Sequence, residues 1–194
     1  MKKFTSLFLV ICIFASLVAN AFATGMQGDA ILITVKTQED YDAVVAEIEA
    51  HNSRADQLWQ QALAESGASA LPSPVWETNG IMPRIYRVAS VNYRDWIGAL
   101  ELACVAFSAT FNTTTNQYGS EMIGEVYNIS AYGYYGSTTV SVNNSQYAII
   151  DSGRTISAQF SCQVGIRHEG ESYYTYYTRS YYVEFYVNGN ANVL

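Results

Sequence analysis

Histidine is nearly absent from this sequence: His51 and His168 are the only two among 194 residues. A serine or cysteine nucleophile needs a positioned base, and no spacing sets either imidazole beside such a group, so both read as surface residues. No H-E-x-x-H, G-x-S-x-G, phosphate-binding loop or dinucleotide-binding glycine pattern occurs. Cysteine is scarce as well, with three residues, too few and too scattered for metal-ligand spacing. Lysine is limited to Lys2, Lys3 and Lys36. Without a basic cluster, phosphate backbones and anionic lipid are poor partners. Apolar runs of membrane length are missing too; the longest, Leu7 to Val18, falls short of the roughly 20 residues a helical span requires. No cofactor and no catalytic residue is therefore expected.

That short apolar run follows Lys2 and Lys3 and precedes Ala19-Asn20-Ala21 and Ala21-Phe22-Ala23. Positive, apolar and small-residue parts in this order describe a secretory signal peptide over residues 1–23. The expected product is an extracellular bacterial protein with no membrane association after cleavage. Without Lys2 and Lys3, eight basic residues face seventeen acidic ones, a balance of about −9. Cys12 leaves with the signal, and Cys104 and Cys162 remain. Two cysteines in an exported chain favour a bridge, closing a loop that stabilises by roughly 4 kcal/mol.

Two kinds of pattern divide the rest. Ala30–Val35, AILITV, reads as a strand. Thr37-Gln-Glu-Asp40 then supplies a capping hydroxyl and first-turn acids. Tyr41, Val44, Val45, Ile48, Ala55, Leu58, Trp59, Ala62 and Leu63 follow at helical spacing, so 24–66 is a short strand plus an amphipathic segment of one or two helices. His51-Asn52-Ser53-Arg54 interrupts the stripe. Residues 67–80, with SGASALPSP, read as a linker. From 81 to 194 a succession of β-runs is divided by polar turns at Asn112–Gly119, Asn143-Asn144, Asp151–Gly153 and His168–Glu171. Strands without intervening helices predict an antiparallel β-sandwich.

On Arg154–Arg167, Ile156, Ala158, Phe160, Cys162, Val164 and Ile166 share one face. On the earlier run Leu100, Leu102 and Cys104 share a face, after which the apolar parity shifts to Val105, Phe107 and Phe111, as a β-bulge produces. Both cysteines then face inward, which predicts a core-spanning disulfide with Cα atoms about 4.4–6.8 Å apart. The arrangement resembles immunoglobulin-like sandwiches in outline, without a tryptophan between the cysteines or a tyrosine two residues before Cys162.

The stretch ESYYTYYTRSYYVEFYV, Glu171 to Val187, holds seven tyrosines. As one strand, its odd positions Tyr173, Thr175, Tyr177, Arg179, Tyr181, Val183, Phe185 and Val187 become steadily more apolar and read as the core face. Tyr174, Tyr176, Tyr182 and Tyr186 alternate with them and face water. With Tyr132, Tyr134 and Tyr135 elsewhere, they predict an aromatic row on which sugar rings stack. The competing reading is structural, because tyrosine favours strands and cross-strand rings stabilise a sheet. Glu121 with Glu125, and Glu169 with Glu171, are carboxylate pairs that could take glycosidase-like spacing, but the first pair falls on a solvent face. The sequons at Asn112, Asn128 and Asn143 read as chance. The expectation is a secreted, non-catalytic recognition or display protein with a glycan or cell-surface polymer as ligand. The alternatives are a purely structural β-protein, or a secreted enzyme or enzyme inhibitor.

Overall fold

The computed structural model describes residues 22–27, 30–67, 70–72, 74, 86–97, 100–135 and 138–194. The expected signal peptide lies outside these residues except for Phe22 and Ala23, and so does most of the 67–80 linker. The chain is mainly β, with antiparallel sheets and one helix ahead of most of the strands. In order, β1 is Phe22–Gln27, β2 Ala30–Val35, α1 Gln38–Ser66, β3 Leu71–Pro72, β4 Arg87–Ile97 and β5 Leu100–Thr115. Then come β6 Glu121–Tyr135, β7 Thr138–Val140, β8 Asn143–Ile150, β9 Thr155–His168, β10 Thr175–Tyr186 and β11 Ala191–Val193.

The larger sheet is built on β9. One edge of β9 pairs with β10 throughout; the other is shared, with β8 antiparallel beside Thr155–Ser161 and β2 parallel beside Gln163–His168. The parallel pair departs from the expected all-antiparallel arrangement. A parallel pairing needs a long crossover, and here the chain from α1 through β8 supplies it. Leu71 and Pro72 pair with Tyr147 and Gln146 of β8. The smaller sheet is a meander, β4-β5-β6-β7. Side chains of both sheets meet in one core, where the Phe107 ring of β5 lies 4.9 Å from Phe160 of β9 and 5.5 Å from Tyr181 of β10. The alternation expected on β9 is present, with Ile156, Ala158, Phe160, Cys162, Val164 and Ile166 all buried. Asn143-Asn144 does not form a turn but begins β8. Gly153 and Gly170 do take left-handed backbone, at φ 88° and 90°, in turns that close tightly there.

The helix is single. Thr37 caps it, its Oγ1 accepting from Asp40 N at 3.1 Å, and Gly67 ends it at φ 60°. Its polar interruption has a tertiary cause. Val44 and Ile48 of the first half join the main core, whereas Ala55, Trp59 and Ala62 of the second half pack with Ala148, Ile150 and Tyr182 on the outer face of the larger sheet. Between the halves α1 crosses the edge of β10. There Asn52 Nδ2 donates to Thr178 O at 2.7 Å and its Oδ1 accepts from Ser180 N at 2.8 Å. One side-chain amide thus does what a neighbouring strand would do for an open edge.

The expected disulfide is absent: Cys104 and Cys162 are free thiols. Cys162 is buried in the core as expected, but Cys104 is only half-buried. The β4–β5 register steps from Asp95↔Ala103 to Trp96↔Glu101, leaving Leu102 as the extra residue. The bulge therefore precedes Cys104. Ala103, Val105, Phe107, Ala109 and Phe111 turn inward, and Cys104 is carried to the opposite face of β5 with Ala106 and Ser108. The thiols point away from each other across β5, which forbids a bridge without moving the backbone.

Candidate functional site

The four tyrosines of the expected row do not share one accessible face. Tyr182 is 2% exposed under Trp59 and Ala62 of α1, so its placement on a water-facing row is corrected by the helix that covers it. Its hydroxyl bonds Ser157 Oγ and donates to Glu184 at 3.0 Å, and burial raises its pKa. Tyr186 is half-buried and donates to Glu184 Oε2 at 2.7 Å. Burial first, then that carboxylate, pushes its phenol up to about 12. Tyr174 and Tyr176 do stay together, with ring centroids 6.4 Å apart. Each has a structural partner. The Arg167 guanidinium sits 4.6 Å above the Tyr174 ring. Tyr176 pairs with Gly165, where an added Cβ would meet the Tyr176 ring at 3.0 Å and Leu32 at 2.8 Å. The ring fills the gap that glycine leaves on the neighbouring strand.

On the odd face of the same strand Arg179 lies 2% exposed, paired with Asp95 of β4, which is fully buried. Arg179 Nη2 donates to Asp95 Oδ1 at 2.6 Å and Nε to Oδ2 at 3.0 Å; the Tyr181 hydroxyl adds a bond to Oδ2 at 2.8 Å. Burial works against charge on Arg179, but the carboxylate's hydrogen bonds outweigh it and the guanidinium is raised. Cys162 Sγ lies 3.6 Å from the Tyr181 hydroxyl, and burial pushes its thiol up to about 11. His51 of α1 packs edge-on against Tyr181 at 5.8 Å. Burial, then the Arg179 charge, holds its pKa below 6.5. His51 is thus part of the helix–sheet contact and not the surface residue expected. An acid, a base, a phenol and a thiol meet here, yet a thiol held protonated in the core is a poor nucleophile, and the cluster reads as a bolt joining α1 and both sheets.

The open aromatic surface lies elsewhere, on the outer face of the smaller sheet. Along β4 Val88, Ser90, Asn92, Arg94 and Trp96 alternate with inward Ala89, Asp95 and Ile97, and Trp96 is 43% exposed. On β6, Tyr132 and Tyr134 are 55% and 39% exposed with ring centroids 6.2 Å apart. Opposite Arg94, Asn92 and Ser90, β5 presents the small groups of Cys104, Ala106 and Ser108, while Trp96 pairs with Glu101. The register lines up Arg94, Cys104 and Tyr134 in one row and Asn92, Ala106 and Tyr132 in the next. The outer strands of each row are two strand spacings, about 10 Å, apart. Ser108 and Ser130 hydroxyls bond at 3.0 Å in the row beyond. Large rings and polar tips thus flank a low central strand.

Sequence reasoning had singled out Tyr132 and Tyr134 but not Trp96 or Arg94. The alternation of β4 was the available signal. Asp95 works against that signal, because a carboxylate in a strand by itself favours the outward face, and its partner Arg179 stands 84 positions later. Tyr135 belongs to β6. The carboxylate pairs acquire other partners. Glu121 is held by Arg87 at 2.8 Å, an ion pair that lowers its pKa, and Glu171 Oε2 accepts from His168 N at 3.0 Å. Among the described residues no group of three or more potential metal ligands occurs. Two clefts of about 340 and 180 Å³ are lined by other residues, the larger by Asp56, Asn143, Gln159, Ser161, Thr178 and Ser180. In comparisons with known proteins, no family model, no curated protein and no solved structure matches the chain.

Proposed function

We propose that this is an exported, non-catalytic recognition protein that binds carbohydrate or another cell-surface polymer on the outer face of its smaller sheet. The observation that carries the reading is the surface of Trp96, Tyr132 and Tyr134, exposed beside the low row of Cys104, Ala106 and Ser108. Flat rings with polar tips offer sugars a stacking face and hydrogen bonds at low entropic cost, and exposed aromatic groups gathered on one face of a small domain favour a binding site. Of the four tyrosines on the even positions of the Glu171–Val187 stretch, Tyr174 and Tyr176 form a secondary patch, while Tyr182 and Tyr186 serve the fold.

The reading includes export directed by a signal peptide over residues 1–23, ending in the small-residue motifs Ala19-Asn20-Ala21 and Ala21-Phe22-Ala23. It excludes nucleic acid and membrane as partners on the grounds of charge. The two sheets are taken as a sandwich, immunoglobulin-like in outline. Their shared core supports the sandwich, whereas the parallel β2–β9 pair departs from the immunoglobulin pattern.

Affinity electrophoresis of the mature chain in gels of hydroxyethylcellulose, galactomannan and xylan tests the proposal. Retardation in one of them, lost in Trp96→Ala and Tyr132→Ala at unchanged melting temperature, supports it. Equal mobility in every gel, with melting temperatures lowered by the same substitutions, favours a purely structural role for the rings.

A further inference from the structure

We propose that Arg94 gives the aromatic face a preference for glycans bearing carboxylates, so that the ligand is a largely neutral polysaccharide with interspersed uronate residues. The inference rests on the carbohydrate reading above and adds the charge of the ligand to it.

Arg94 is exposed on β4, two residues before Trp96 and in one row with Cys104 and Tyr134. Among the described residues it forms no ion pair and no side-chain hydrogen bond. Of the other described arginines, Arg87 is committed to Glu121, Arg154 to Asp151, Arg179 to Asp95, and Arg167 to Thr34, the Glu171 carbonyl and the Tyr174 ring; exposed Arg54 stands on α1 and not on the smaller sheet. Seventeen acidic residues stand against ten basic ones, and still, among the described residues, no carboxylate pairs with this guanidinium on the outer face of the smaller sheet. Its planar fork matches a carboxylate with two parallel hydrogen bonds. Trp96 and Tyr134 on either side would stack the sugar rings that carry that carboxylate, and the small side chains of β5 leave the approach open.

The sign of the whole chain narrows the class further. A densely charged polyanion is repelled by the acidic protein. A single uronate held against Arg94 is not, because charges beyond about 8 Å are largely screened at physiological ionic strength. Lysine is not an equivalent, since a point charge cannot reproduce the two-bond geometry.

The test is affinity electrophoresis of the mature chain in partly methyl-esterified polygalacturonate and in the same polymer after its carboxyl groups are reduced to alcohols. The wild type should be retarded more by the carboxylated gel. Arg94→Gln should weaken that retardation about fivefold to tenfold, leave retardation in the reduced polymer unchanged and keep the melting temperature; Arg94→Lys should fall between. Equal retardation in both polymers, or an unaffected Arg94→Gln, overturns the uronate preference while leaving carbohydrate binding intact. Equal mobility with and without either polymer overturns it too, and the neutral gels described above then decide the carbohydrate reading on their own.

Discussion

Asp95→Asn is the sharpest single perturbation of this fold. It preserves shape and removes one charge from a pair whose members are fully buried and 2% exposed. Three bonds converge on the carboxylate: two from Arg179 at 2.6 and 3.0 Å and one from Tyr181 at 2.8 Å. The asparagine keeps one acceptor oxygen, so part of this network fails, and the Arg179 charge is left in the core without its counter-ion. Breaking a buried pair in this way costs about 3–5 kcal/mol, out of a total of about 5–15 kcal/mol for a domain. With a urea dependence near 2 kcal/mol/M, the unfolding midpoint should fall by about 2 M. Urea titration followed by circular dichroism and by tryptophan fluorescence measures it. The double variant Asp95→Leu with Arg179→Met should recover most of the loss, because an apolar replacement of a buried pair is often neutral or stabilising. An Asp95→Asn midpoint equal to that of the wild type, or a double variant less stable than either single one, would refute the claim that the cost is an uncompensated buried charge.

Three further outcomes follow from the same packing. His51 has a folded pKa below 6.5, so the unfolded chain takes up its proton first. Its contribution is present above pH 6.5 and lost as pH falls; His51→Gln should flatten the stability profile between pH 7.5 and 5.5, and an unchanged slope contradicts the assignment. With its thiol raised to about 11 in the core, Cys162 should resist iodoacetamide in the native protein while half-buried Cys104 reacts, and intact mass should show one adduct before denaturation and two after. A native chain that takes up no label until reduced would indicate a bridge instead. Asn52→Ala strips the edge of β10 at Thr178 and Ser180 and should cost about 1–3 kcal/mol. Amide hydrogen exchange should accelerate at Ser180 in particular, and unaltered protection there would show that the edge is covered by something else.

Much of the secondary structure is local physics and was legible directly. The cap at Thr37, the 3.6-residue stripe of α1 and the strict alternation of β9 each lie within one segment, where side-chain spacing decides which face is apolar. The odd face of β10, from Tyr177 to Phe185, was readable for the same reason. What one segment cannot reveal is what arrives to cover it. The even face of β10 reads as solvent-facing until α1 crosses the strand edge and buries Tyr182 beneath Trp59. Asn52 looks like a helix break until it meets the backbone of Thr178 and Ser180. The bulge on β5 could be inferred from the shift in apolar parity, but its position could not, since Leu102 and Cys104 are equally suited to either side of it. Tertiary pairing with Asp95 and Trp96 of β4 put the extra residue at Leu102, and that single step turned Cys104 outward and removed the disulfide. Asp95 itself is the clearest case. Alone, a carboxylate in a strand belongs in water. Arg179 and Tyr181, brought across from the other sheet, supply the charge and hydrogen bonds that let it be buried, and with Asp95 turned inward, Arg94 and Trp96 are left on the surface where a ligand can reach them.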